Sequence, residues 1–126
     1  MPRPSPIDLP PKQALTQYGT RGPTPEGVRV FFRNRPNPRA PERGMSLLAG
    51  QLAPYEAAMT VRQEWVPRRD GVRWTTVEQL TAAGFVVRST PNRMNPRHVS
   101  VEHEGEWTDD VAKRFDDCFG QPWGRW

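Results

Sequence analysis

Fifteen prolines in 126 residues, about twice the usual share, restrict this chain more than any other feature. Proline has no backbone N–H to give to a sheet or a helix interior, and clustered prolines favour extended polyproline conformations. The clusters therefore mark where regular structure is excluded. Pro2, Pro4, Pro6, Pro10 and Pro11 fall in the first eleven residues, and Pro23, Pro25, Pro36, Pro38 and Pro41 punctuate the next thirty. This spacing divides the chain into a Pro-rich arm over 1–24, extended or partner-bound, a single domain over 25–120, and an aromatic, basic tail over 121–126, "QPWGRW".

Between the prolines, side-chain periodicity sets the expected elements. "KQALTQYG", 12–19, reads as a turn of helix with Leu15 and Tyr18 on one side. "VRVFFRN", 28–34, alternates as a strand. "MSLLAGQLAPYEAAMTV", 45–61, is strand or helix at its start, with Pro54 suited to the first turn of a helix over 55–59. "VRQEWV", 61–66, and "VRW", 72–74, read as a hairpin turned at Asp70-Gly71, with Trp65 and Trp74 filling the core. Thr75 with Glu78 reads as a capping box for a helix that Gly84 closes. "FVVRS", 85–89, and "RHVSVEH", 97–103, are strands. Thr108 caps a last helix whose first turn holds Asp109 and Asp110, with Val111, Phe115 and either Cys118 or Phe119 on one face. Strands and helices mix without a regular βαβ alternation. The expected fold is α+β: a small, mostly antiparallel sheet with two or three helices on one side and an extended Pro-rich N-terminal arm.

The net charge of +4 comes from arginine, since the only lysines are Lys12 and Lys113. Arginine suits bidentate contact with phosphate or carboxylate, so nucleic acid, a nucleotide or an acidic partner all fit this balance. The single cysteine, Cys118, excludes a disulfide framework and a cysteine-based zinc site. No apolar run is long enough for a membrane span or a signal peptide, so a cytoplasmic protein without a membrane partner or metal is expected.

Three stretches carry candidate chemistry. On the 97–104 strand, Val99, Val101 and His103 are expected to enter the core, which turns His98, Ser100, Glu102 and Glu104 outward. Carboxylates two apart on one strand face lie roughly 7 Å apart, suited to holding a substrate hydroxyl and stabilising a developing cation, or simply to facing water. His98 is placed to act as acid or base with Glu102 or Glu104. Arg29 and Arg33 on the 28–34 strand can clamp a phosphate, or merely keep an edge strand soluble. In "RGMSLL", Gly44 allows close backbone approach to a ligand and Ser46 can donate to one.

Taken in order, these elements resemble a known layout. An arginine ends an early strand ("VRVFFR", Arg33), a Gly-x-Ser follows ("GMS", Ser46), and "GFVV…TP…NPRHVSV" leads to a Glu-x-Glu ("EHE", Glu102 and Glu104). The order resembles small bacterial toxins of the ADP-ribosyltransferase fold, and short bacterial proteins with a G-L-S-V … NP-x-H pattern. The resemblance, over roughly 28–119, implies that Arg33 holds the pyrophosphate of NAD, Ser46 props its nicotinamide side, Glu104 orients the ribose and Glu102 is the accessory acid. Two other readings stand beside it. One is a non-enzymatic partner-binding protein, such as an inhibitor, an antitoxin-like factor or a phage or assembly component, engaging a protein through residues 1–11 and Trp123 and Trp126. The other is a basic nucleic-acid binder or ribonuclease using Arg93, Arg97, His98 and the glutamates.

Overall fold

The computed structural model describes residues 9–20, 32–39, 44–66, 70–120 and the backbone of 123–124. The elements are β1 (Ala14–Gly19), β2 (Met45–Ala49), α1 (Pro54–Thr60), β3 (Gly71–Thr76), α2 (Val77–Ala82), β4 (Val86–Ser89), β5 (His98–Glu102), α3 (Asp109–Asp116) and the two-residue β6 (Trp123–Gly124). The chain is α+β. Five antiparallel strands form the sheet in the order β4-β5-β2-β1-β3, and β6 extends it beside β3.

β1 occupies an inner position, so it is buried from both sides. Leu15 is fully buried in the core of one face, and Thr16 is fully buried on the other. The Thr16 hydroxyl donates to Gly50 O (2.6 Å) and accepts from Leu52 N–H (2.9 Å), which satisfies a polar group that burial would otherwise penalise. The expected helical turn over 12–19 is therefore a strand. Leu15 and Tyr18 have helical spacing, but six ladder pairs to β3, from Ala14↔Thr76 to Gly19↔Gly71, outweigh so weak a local preference. This inner strand also comes from within the 1–24 segment assigned to an arm, so 9–20 belong to the domain.

Two cores follow from strand alternation. On one face Leu15, Met45, Leu47, Val99 and Val101 pack with Val77 and Leu80 of α2 and Val111 and Phe115 of α3. On the other, Leu48 and Val72 pack with Leu52, which precedes α1, and with Ala57 of α1, with Tyr18 and Trp74 at the edge. Two helices thus share one side of the sheet and the third lies across it. Pro54 stands in the first turn of α1, where its missing N–H costs no hydrogen bond.

After α1 the chain does not enter a hairpin. Arg62 takes a positive φ of 57° and redirects the backbone, and 63–66 pair with no strand. Gly71 opens β3 rather than turning it. Asp70 is instead an anchor, its carboxylate accepting from Val66 N–H and from the Tyr18 hydroxyl. Trp65 sits half-buried, edge-on to Tyr55, and of these two tryptophans Trp74 is the one that packs on a core.

The capping box of α2 lies one residue later than the spacing suggests. Thr76 and Gln79 exchange the reciprocal bonds, Gln79 N–H to Thr76 Oγ1 and Thr76 N–H to Gln79 Oε1. Thr75 is unavailable because the ladder turns it inward, where its hydroxyl donates to Cys118 O (2.7 Å). Gly84 at φ +94° closes the helix, with Phe85 N–H on Leu80 O and Gly84 N–H on Thr81 O, the Schellman pattern. Thr108 caps α3 through Val111 N–H, as expected.

Phe115 is the keystone of the first core. It is fully buried and meets Phe85, Trp107 and Phe119 edge-on, with centroids 5.1–5.7 Å away. Phe115→Ala is expected to lower the unfolding free energy by about 3–5 kcal/mol, read from urea denaturation.

Candidate functional site

β1 and β2 are joined by only two ladder pairs, Leu15↔Ala49 and Thr16↔Leu48. Beyond them the strands part. Tyr18 of β1 and Ser46 of β2 line a cleft of about 460 Å³, which Arg33, Val61, Gln63 and Asn95 also line. Hydroxyl, amide and guanidinium side chains line most of the cleft, with Leu47, Leu48 and Val61 as its apolar part.

Arg33 reaches this cleft without a strand. Residues 32–34 are irregular, which corrects the strand expected there, and Arg29 with 28–31 lies outside the described residues. What holds 32–34 is a buried polar cluster around Arg73. Arg73 is 7% exposed. Its Nε donates to Gln17 Oε1 and its Nη2 to Asp116 Oδ1, each at 2.7 Å. Its guanidinium lies 4.7, 4.1 and 5.7 Å from the ring centroids of Phe32, Phe119 and Phe115, within cation–π range. Gln17 passes the restraint on by donating from Nε2 to the backbone carbonyl of Arg33. Asn34 completes it, donating to Asp116 (3.1 Å) and accepting from Trp107 Nε1 (2.7 Å). Burial lowers the Arg73 pKa, and Asp116 partly restores it.

Ser46 is exposed in the otherwise buried β2, and its Oγ lies 3.0 Å from His98 Nε2. His98 Nδ1 lies 2.7 Å from Thr90 Oγ1. The result is a chain of three side chains, Thr90–His98–Ser46, ending at the cleft. The 90–97 loop fixes it. Asn92 Oδ1 accepts from Met94 and Asn95 N–H, and Asn95 Oδ1 accepts from Arg97 N–H. Arg97 then stitches the loop to the end of β2, through Ala49 N–H to Arg97 O (2.8 Å) and Arg97 Nη1 to Ala49 O (3.0 Å).

The other expected site residues are distributed differently. Val99 and Val101 enter the core as expected, but Ser100 is fully buried as well. His103 is half-buried against Phe85 and Trp107. Glu102 is half-buried and accepts from Arg88 Nε (2.9 Å). Glu104 is exposed on the loop after β5. Neither glutamate lines the cleft. Gly44 has its close approach to β5 rather than to a ligand: at φ +67°, any Cβ would overlap the Val101 carbonyl. Residues 1–8 and 125–126 lie outside the described residues. The backbone of Trp123 pairs with Val72 at the sheet edge, so that part of the tail belongs to the sheet.

Sequence reasoning missed Thr90, Tyr18 and Asn95. Thr90 stands eight residues before His98, and only the β4–β5 register brings them together. Tyr18 points into the second face once 14–19 is read as a strand. Among the described residues no helix is long and apolar enough to cross a membrane, and no group of three or more His, Cys, Asp or Glu side chains is placed to hold a metal ion. No protein-family model, curated protein or solved structure matches the chain.

Two predictions follow from these contacts. Asp116→Ala leaves the Arg73 charge buried without its carboxylate. It is expected to cost about 2 kcal/mol in urea unfolding, below the usual range for a fully buried pair because a third of Asp116 is exposed. Tyr18 has its pKa raised well above the ordinary value, first by burial and then by its hydrogen bond and proximity to Asp70. Its proton is held more tightly in the fold, so it contributes stability that is lost as pH rises through about 10, where the unfolded chain ionises. The urea midpoint should fall more steeply between about pH 9 and 11 in the wild type than in Tyr18→Phe.

Proposed function

We propose that the cleft takes the anionic part of a nucleotide-type ligand, and that the chain acts as a small toxin-like mono-ADP-ribosyltransferase using NAD on a macromolecular target. One observation carries this reading: Arg33 and Ser46, from an irregular segment and a strand, line the same cleft. The guanidinium supplies the planar donor pair that a pyrophosphate accepts. Ser46 offers a hydroxyl to the remainder of the ligand. Catalysis of this kind asks little covalent chemistry of the protein and depends on holding the ligand and stabilising developing positive charge.

The glutamates set the demand on the ligand. Since Glu102 and Glu104 stand outside the cleft, the ribose has to extend along β5 to meet Glu104. Glu102 answers first to Arg88, which suits the accessory part better than the leading one.

The experiment is NAD turnover and binding with purified protein. NAD is expected to be consumed with release of nicotinamide. Arg33→Ala should weaken NAD binding at least about tenfold, the equivalent of about 1.4 kcal/mol. Glu104→Gln should abolish turnover while binding stays unchanged. Wild-type protein that does not bind NAD, or equal turnover in Glu104→Gln, ends the reading.

A further inference from the structure

The transferase reading uses Ser46 only as a contact, yet its surroundings are those of a reacting group. Ser46 is exposed at the cleft, with a histidine nitrogen 3.0 Å from its oxygen. The opposite nitrogen of that ring is 2.7 Å from a second hydroxyl, Thr90 Oγ1. A nucleophile within reach of a base, and a base oriented by a third group, is the arrangement that activates serine in unrelated folds. With hydrogen on Nδ1 donated to Thr90, Nε2 is left as the acceptor that Ser46 requires. Thr90 takes the positioning place that a carboxylate often fills.

We propose that Ser46 is a covalent nucleophile, with His98 as its general base and Thr90 as the residue positioning the ring, and that the cleft hydrolyses small activated carboxylic esters bearing an anionic group. Arg33 lines the same cleft and supplies the positive charge that an anionic group would meet. In the first half-reaction Ser46 Oγ bonds to the acyl carbon while the ester C–O bond breaks. The serine proton passes to His98 Nε2 and from there to the departing alkoxide, which leaves as an alcohol. In the second half, water adds its oxygen to the acyl carbon as the bond to Ser46 Oγ breaks. His98 Nε2 carries a proton from that water back to Ser46. The sum is ester plus water to acid plus alcohol, with no oxidant or cofactor. This inference shares the cleft with the transferase reading but needs neither NAD nor Glu104.

The test is labelling by an alkyl fluorophosphonate, which phosphonylates an activated serine with loss of fluoride. Intact mass followed by peptide mapping is expected to place a single adduct on Ser46 of the folded wild type and none on the urea-unfolded chain. Ser46→Ala should abolish the adduct. His98→Gln should slow labelling at least about a hundredfold, in the range that general-base catalysis supplies. Thr90→Val should slow it, and Thr90→Ser should restore it, a rescue that general packing would not produce. Hydrolysis of a succinate monoaryl ester should follow the same order across the variants. Absence of a Ser46 adduct on the folded wild type overturns the proposal by itself, whether or not any variant folds. So does labelling that is undiminished in His98→Gln. Neither result touches NAD binding, so the two readings fail separately.

Discussion

Arg73 is a guanidinium taken out of water, and several parts of the fold, the 32–34 segment at the cleft among them, are arranged around keeping it there. A buried charge costs several kcal/mol unless it is paired and its hydrogen-bonding groups are met. Asp116 of α3 and Gln17 of β1 meet it in the plane, and the rings of Phe32 and Phe119 lie within reach of its centre. Each partner belongs to a different part of the chain. Satisfying one cation therefore ties β3, β1, α3 and the irregular 32–34 segment into a common position. Arg33 owes its place at the cleft to this cluster, through the Gln17 amide on its carbonyl.

The cleft itself comes from incomplete pairing. Strands β1 and β2 share two ladder pairs and then separate, although each stays fully engaged on its outer side, β1 with β3 and β2 with β5. A separation inside a sheet exposes groups that lateral pairing would cover. Ser46 is the exposed residue of β2, and Tyr18 lines the same cleft from β1. The 90–97 loop is then bound to the end of β2 by two hydrogen bonds between Arg97 and Ala49, which holds His98 beside Ser46. The same construction leaves Glu104 on the outer loop, away from the hollow.

Much of the fold was legible because local signals were strong. Val99 and Val101 alternate with polar neighbours and are both fully buried, and Thr108 with two following aspartates caps α3 as its composition suggests. The failures share a cause. Leu15 and Tyr18 have helical spacing, but a strand between two others needs apolar or satisfied groups on both faces, and "ALTQYG" supplies them. Asp70-Gly71 has turn chemistry, yet Asp70 is consumed by Val66 and Tyr18. Thr75 resembles a cap and is turned inward by its ladder pair Leu15, which passes the cap to Thr76.

The sequence alone determined the α+β class and the elements α2, β4, β5 and α3, and it offered Arg33, Ser46, His98, Glu102 and Glu104 as candidates for a site. These depend on periodicity, capping and turn chemistry, which act over a few residues. Only the tertiary structure decided which of those residues meet. Ser46 and His98 are 52 positions apart and touch because β2 and β5 pair in one register. A shift of one residue would turn His98 to the opposite face. Register and burial are set by the whole sheet closing over its two cores, and no short stretch of chain contains that information.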